Sequence, residues 1–131
     1  MTVDQAIIAV IIASMLANDH VSAEESQRAH DITWSMRRFR RKSGETIGRM
    51  IGKIRERIER DEAAPVIQEA SKLIPAALRP SVLAVAADLV LADGRLQRQE
   101  RQFLGELARQ LKIPPALSLQ ILKIIAIKNA A

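Results

Sequence analysis

A run of twelve residues, "AIIAVIIASMLA" at 6–17, is apolar on nearly every face of a helix. A helix without a polar face is either buried on all sides or spans a membrane, and a span needs roughly 20 apolar residues. Asp4 precedes the run and no Lys or Arg does, which fits a secretion signal poorly. The run therefore predicts a central helix, from about Val3 to Ala17, against which the other segments pack.

The remaining sequence also predicts helices, because apolar residues recur every three or four positions and no alternating strand pattern is present. The chain has 131 residues, of which 48% are hydrophobic and only 2% aromatic. A mass of Ala, Ile and Leu favours close-packed helices over sheets. We therefore expect an all-α, single compact domain of about seven helices. The absence of cysteine excludes disulfides, a thiol nucleophile and a thiolate metal site, and it is compatible with a reducing cytoplasm.

Start and stop residues divide the chain into these helices. Thr2 with Gln5 forms a capping box for helix 1, and Ser22 with Glu25 forms one for helix 2. Helix 2 carries an apolar stripe of Ala29, Ile32 and Met36 that extends towards Phe39, with Trp34 off the stripe. Ser43 caps helix 3, and Pro65 ends that helix or begins helix 4. Pro75 and Pro80 bracket a turn, after which helix 5 reaches Ala92. Helix 6 spans about Arg98–Leu111, and Pro114 and Pro115 start helix 7.

Periodicity also predicts which residues of the later helices are buried. These positions are Ile47, Ile51, Ile54, Ile58, Val66, Ile67, Ala70, Leu73, Ile74, Phe103, Leu104, Leu107, Leu111, Leu117, Ile121, Ile124 and Ile125.

The two parts of the chain that contain acidic loops resemble each other at an offset of 75 residues. Leu16-Ala17 then falls on Leu91-Ala92, Glu25 on Glu100, and the following stripes coincide. We predict two pseudo-symmetric helix-loop-helix halves, at about 3–39 and 78–114, joined by a basic linker helix at about 43–62. Packing the halves together would bring their two loops into one neighbourhood.

The loops, "LANDHVSAEE" (16–25) and "LADGRLQRQE" (91–100), allow two interpretations. In the first, they only end and begin helices: Gly94 turns the chain, and Glu100 lies at the positive end of the next helix. In the second, they bind a hard divalent cation such as calcium, which takes several oxygen ligands. The candidate ligands are Asp93, Glu100, Asn18, Asp19 and Glu25.

The same loops carry a family resemblance. "LADG", preceded by "VAADLV" and followed by Glu100, resembles the second signature of the TerB-like tellurite-resistance family. "LANDHVSAEE" resembles the first signature, with Asn18-Asp19 where the family has Asp-Gly, and "LARQLKIPPAL" (107–117) resembles the segment that follows. The resemblance covers nearly the whole chain, most clearly 5–39 and 80–125.

Membership of this family would imply a compact all-α fold of two helix pairs. It would also imply a role in bacterial chemical-stress or tellurite-resistance systems, often with membrane-associated partners, and therefore a place in the cytoplasm or at the inner membrane surface. A divalent-cation role of the acidic loops would map onto Asp93 and Glu100, and onto Asp19 and Glu25.

The segment "MRRFRRKSGETIGRMIGKIRERIER" (36–60) concentrates the positive charge. Residues 37–60 hold ten Lys or Arg and three Glu, a net charge of +7, against +5 for the whole chain. Three interpretations stay open: a solvated helix face, an anionic membrane surface or acidic protein partner, and nucleic acid phosphates. Phe39 is the only interleaved aromatic, and no nucleic-acid-reading motif is present. The candidate partner-binding residues are Arg37, Arg38, Arg40, Arg41, Lys42, Arg49 and Lys53.

Gly44, Gly48 and Gly52 recur at every fourth position of the third helix. Glycine costs a helix interior roughly 1 kcal/mol relative to alanine, so a close approach by another helix or by a second copy of the chain would explain the row. The row predicts either such a packing contact, including a homo-oligomer, or a flexible segment between the halves.

Motifs of catalysis are missing from the sequence. It holds no Ser/His/Asp set in a recognisable context, no phosphate-binding glycine loop after a strand, and no His-rich metal spacing. His20 and His30 are expected at the surface. We expect a non-enzymatic stress or tellurite-resistance-type protein that binds a divalent cation through its acidic loops, or alternatively an adaptor that docks through residues 37–60.

Overall fold

The structure, a computed structural model, describes residues 1–17, 23–91 and 98–130, and for residues 23–26 the backbone only. Within these ranges the chain forms seven α-helices and no strand, which confirms the all-α prediction. The helices are α1 (Val3–Leu16), α2 (Ala23–Ser35), α3 (Gly44–Asp61), α4 (Ala63–Leu73), α5 (Arg79–Val90), α6 (Arg98–Gln110) and α7 (Pro115–Asn129). Short 3-10 helices at Arg37–Phe39 and Ala76–Leu78 lead into α3 and α5.

Helix α1 is the centre of the fold. It packs against α2, α3, α4 and α5, and every residue from Ala6 to Met15 is buried. The predicted capping box is present, because the backbone amide of Gln5 donates to the Thr2 hydroxyl and the backbone amide of Thr2 donates to the side-chain oxygen of Gln5. Ser14, the buried hydroxyl of α1, donates to the Val10 carbonyl at 2.7 Å, so its polar atom is satisfied inside the apolar helix.

The junction between α3 and α4 is a single residue, Glu62. Its φ of 68° and ψ of 162° break the helix, while its amide still donates to the Ile58 carbonyl at 2.8 Å. Pro65 follows in the first turn of α4, where its missing amide hydrogen costs no hydrogen bond. Of the two predictions for Pro65, the one that places it at the start of helix 4 is therefore correct.

Three predictions at the ends and faces of helices are wrong. Helix 2 does not continue to Phe39: α2 ends at Ser35, and Met36 is extended before the 3-10 turn. Leu73 lies at the edge of the α4 face and is exposed, while Ser71 is buried. Leu117 and Ile124 of α7 are exposed, because α7 packs mainly on α5 and turns one whole side outward.

The predicted halves each contain one helix pair, α1 with α2 and α5 with α6, and α1 packs directly on α5. Ala29 and Leu104, which coincide at the offset of 75, are both fully buried. The predicted neighbourhood of the two loops falls on 18–22 and 92–97 and lies outside the described residues. Helix α5 ends at Val90 with Leu91 as its C-cap, two residues before the predicted end at Ala92.

No single helix in the described ranges is long and apolar enough to cross a bilayer. Ala63–Leu73 and Ala76–Val90 meet that criterion only jointly, across a bend of 115°.

Candidate functional site: the basic surface beside α1

Most of the predicted cation ligands cannot be placed. Asn18, Asp19 and Asp93 lie outside the described residues, and the backbone of Glu25 lies in α2 without a described side chain. Glu100 lies in the first turn of α6 and is buried, with 6% of its surface exposed. No group of three or more His, Asp or Glu side chains that could hold a metal occurs among the described residues. The cation site therefore stays a prediction.

Residues near the two acidic loops in sequence line a common cavity. Leu16 and Ala17, at the end of α1, line the same cavity as Gln102 and Phe103 in the first half of α6. The cavity has a volume of about 400 Å³ and mostly apolar walls. The helix that leads into the first loop and the helix that leaves the second thus share one cavity.

The basic segment begins with a short turn that Phe39 anchors. Phe39 is completely buried in the 3-10 helix, while its neighbours Arg37, Arg38, Arg40 and Arg41 are exposed. Burial of one aromatic ring therefore holds four guanidinium groups at the surface. It also makes the only aromatic of the basic segment unavailable for stacking on a nucleobase.

Two of the seven predicted partner-binding residues form ion pairs within the described chain. The Arg38 guanidinium donates to the Asp4 carboxylate, and the Lys42 ammonium lies 3.6 Å from the other Asp4 oxygen. Asp4 belongs to the first turn of α1, so these pairs tie the basic segment to the central helix. The sequence offered no signal for this role, because an acid in a first helical turn is already explained by the helix dipole.

The other five residues, Arg37, Arg40, Arg41, Arg49 and Lys53, are all exposed, and we refer to them as the basic surface. None forms an ion pair with a described residue. On α3, Arg49 and Lys53 are one turn apart and lie outside the buried stripe of Ile47, Ile54 and Ile58. The basic surface therefore presents positive charge that the described chain does not neutralise.

Charge at the other end of α3 is neutralised. Arg57 pairs with Glu69 of α4 and lies 3.6 Å from Asp61. Arg60 pairs with Asp61 at 3.0 Å, and its hydrogen bond is the main reason that the pKa of Asp61 falls below its ordinary value. Within the basic segment, the five residues of the basic surface thus remain without an ion pair to a described residue.

Trp34, three residues before Arg37 in the sequence, is an exposed aromatic residue. It is 45% exposed, and its ring meets that of His30 edge to face at 6.2 Å. A Cβ added at Gly44, the first residue of α3, would lie 3.5 Å from the His30 ring. His30 thus lies between the exposed indole and the start of α3, and the exposure of Trp34 agrees with its position off the apolar stripe.

A groove adjoins the same segment. It has a volume of about 240 Å³, and Met36, Arg37 and Arg38 line it on one side. Three apolar residues also line it: Ile7 of α1, Leu78 of the second 3-10 helix and Val82 of α5. The groove thus combines the exposed residues Arg37 and Arg38 with apolar side chains.

The predicted glycine contact is not found within the described chain. A Cβ at Gly48 or Gly52 would meet no described atom within 4 Å, so no helix of this chain approaches them there. The Gly44 position has ordinary contact distance to His30. A contact with a second copy stays a prediction.

Comparison with known protein families identifies the family of the chain. The family model described as "Tellurite resistance protein TerB" matches residues 4–122. Searches of curated proteins and of solved structures found no significant match.

Proposed function

Because the chain belongs to the TerB tellurite-resistance family, we propose that it is a non-enzymatic adaptor of a bacterial stress or tellurite-resistance system. The basic surface docks on an anionic surface, which is either a lipid bilayer or an acidic protein. Such an adaptor works in the cytoplasm, at the inner face of the membrane. The observation that carries the proposal is the set of five exposed cationic side chains, Arg37, Arg40, Arg41, Arg49 and Lys53, without ion pairs to described residues.

Two further observations support docking. Internal salt bridges hold the segment in place through Arg38 and Lys42, so the free cations sit on an ordered support rather than on a loose tail. Trp34 adds an exposed amphipathic ring next to Ser35, whose carbonyl accepts from Arg40, and tryptophan favours partner and membrane interfaces. Nucleic acid is disfavoured because Phe39 is buried.

Trp34 is the only tryptophan, so its fluorescence reports docking directly. We expect a change on addition of vesicles that contain phosphatidylglycerol or of polyglutamate, and none with neutral phosphatidylcholine vesicles. The Arg49→Gln/Lys53→Gln double variant should weaken binding about 30-fold, on the basis of about 1 kcal/mol per basic residue at an anionic surface. Binding should also weaken as salt is raised.

The matched control is the Arg98→Gln/Arg101→Gln double variant, which removes two exposed cations from α6 instead. Binding of this control should change far less. If both double variants lost affinity equally, the result would contradict the claim that the basic surface is the site of binding. Absence of binding to both the anionic vesicles and polyglutamate would contradict the proposal. Tight, steeply salt-dependent retention on DNA would favour the nucleic-acid alternative instead.

We also propose a divalent cation, such as calcium, at the acidic loops, because Glu100 is a buried carboxylate at the start of α6. One carboxylate is too few for a hard cation, so Asn18, Asp19, Glu25 and Asp93 would supply the remaining oxygens. Calcium titration followed by amide NMR tests this second function. It should move the amides of 16–25 and 92–101, and unchanged amides at millimolar calcium would contradict it.

A further inference from the structure

The outward side of α7 carries large apolar side chains in solvent. Leu119, Ile124 and Ile127 are 68%, 63% and 64% exposed, and Leu117 is 36% exposed. Among the described residues, the other exposed large hydrophobics are Trp34 and Leu73. None of the α7 residues is buried. An apolar concentration of this kind on one helix marks a surface that is covered in use.

Folding does not account for these residues. The inner side of α7 packs on the core through Ile121, Leu122, Ile125 and Ala126, all half-buried. The end of α7 is fixed to α5, where Asn129 donates to Asp88 at 2.9 Å and to the Leu91 carbonyl at 3.3 Å. The helix is thus held from one side, and Leu119, Ile124 and Ile127 on its outer side remain mostly in solvent.

The charge of α7 has one sign. Its charged residues are Lys123 and Lys128, it contains no acid, and an exposed Lys112 precedes it. Lys128 is paired with Asp88, whereas Lys123 is exposed among the outer apolar residues without an ion pair to a described residue. An apolar face with lysines and no acids is complementary to an anionic apolar surface.

A second copy of the chain is a poorer occupant. Lys123 lies next to the midpoint of the fifteen-residue helix. A two-fold contact of α7 with α7 would therefore bring two Lys123 side chains together with no α7 acid to pair them. On a bilayer, the lysine stem can lie along the apolar face while its ammonium reaches the headgroups.

We propose that α7 lies flat in the interface of an anionic lipid bilayer, with Leu119, Ile124 and Ile127 at the acyl boundary and Lys123 at the phosphates. The inference rests on the proposed function in one respect. That function allows the basic surface to dock on either a lipid bilayer or an acidic protein, and the apolar face of α7 favours the bilayer.

The absence of cysteine allows a direct test. Leu119→Cys is labelled with the polarity-sensitive fluorophore NBD, and Leu73→Cys, an exposed apolar position on α4, is labelled as the matched control. Vesicles containing phosphatidylglycerol should shift the emission of the label at 119 to the blue and increase its intensity, with little change at 73. Equal responses at both positions, or none at 119, would overturn the inference.

A second pair of variants separates insertion from electrostatic docking. Leu119→Gln/Ile127→Gln should lower vesicle affinity about tenfold or more, since two large apolar groups no longer leave water, whereas Leu119→Met should retain it. Circular dichroism confirms that each variant is folded. Wild-type affinity in the double Gln variant would contradict the role of α7.

The two proposals fail in different ways. A Trp34 response without an NBD response at 119 would overturn the bilayer role of α7 and leave the basic surface supported. An NBD response that persists in Arg49→Gln/Lys53→Gln would support α7 and contradict the basic surface. A dimer in sedimentation that the Leu119→Gln/Ile127→Gln variant dissociates would assign the face to a second copy instead.

Discussion

Gly48 and Gly52 lie in the interior of α3 at positions where an added methyl group would meet no described atom within 4 Å. Glycine there retains its entropic cost without a packing contact in the described chain that offsets it. We expect Gly48→Ala to stabilise the fold by about 1 kcal/mol, measured as a higher denaturant midpoint at unchanged slope.

Gly44→Ala provides the comparison, because Gly44 starts the helix, where the propensity gain is smaller, and its Cβ would lie 3.5 Å from His30. A less stable Gly48→Ala variant would show that the glycine row is needed for a contact beyond the chain. A shift in sedimentation on the same substitution would identify that contact as one between copies.

Single residues were predicted well where their role is local. Thr2 with Gln5, and Ser43, whose hydroxyl accepts from the Thr46 amide, cap helices as their sequence context indicates. Asp4 shows the limit, because its pairs with Arg38 and Lys42 span more than thirty positions and depend on how α1 meets the basic segment. No local pattern encodes that geometry.

At the scale of elements, the attachment of α7 to α5 depends on Asp88. Lys128 lies 3.1 Å from the Asp88 carboxylate, and Asn129 donates to it. Burial alone would raise the pKa of Asp88, but the hydrogen bonds from Asn129 and Lys128 outweigh it and bring the pKa below its ordinary value of 3.8. The ionised carboxylate is therefore the form that the folded chain favours.

The contribution of Asp88 to stability is accordingly present above its ordinary pKa and is lost as the pH falls through the lowered folded pKa. Asp88→Asn should cost about 1 kcal/mol or less at pH 7, because Lys128 is largely exposed. The difference from the wild-type free energy of unfolding should shrink in acid. A difference that persists below the folded pKa would show that the charge of Asp88 is not the cause.

Elements with one apolar face were predictable, and α7 was not. The stripes of α3 and α6 alternate with charged residues, so their buried positions follow from sequence spacing; Ile47, Ile54, Ile58, Leu104 and Leu107 are all buried. In α7 apolar residues occupy every side of the helix, so the sequence does not indicate which side is buried. The side that faces α5 was settled by tertiary packing, which made the predictions for Leu117 and Ile124 wrong.

At the scale of the whole molecule, we expect substitutions in α1 to lower the free energy of unfolding most. Ile8 is completely buried in the helix that four others contact, so Ile8→Ala should lower the free energy of unfolding by about 2–5 kcal/mol. Ile124→Ala makes the same chemical change on the outer side of α7 and should change it by less than about 0.5 kcal/mol. Equal losses in denaturant unfolding would contradict the central role of α1.

Helix α5 connects the two surfaces proposed to dock. Its first half lines the groove beside Arg37 and Arg38, and it is also the helix on which α7 packs. Both features are therefore fixed to one rigid element. The overall fold and the position of the basic segment could be predicted from sequence. The attachment of both the groove and α7 to α5 could not, since it depends on how α5 is oriented.

The single-residue joint at Glu62 has a consequence for how such chains vary in length. With 3.6 residues per turn, one residue inserted in the first turn of α4 would rotate the rest of that helix by about 100°, whereas Glu62 already interrupts the helix and separates α3 from such a rotation. The face of α4 formed by Val66, Ile67 and Ala70 would then leave the core. Natural insertions and deletions should accordingly be rarer inside α4 than at this corner.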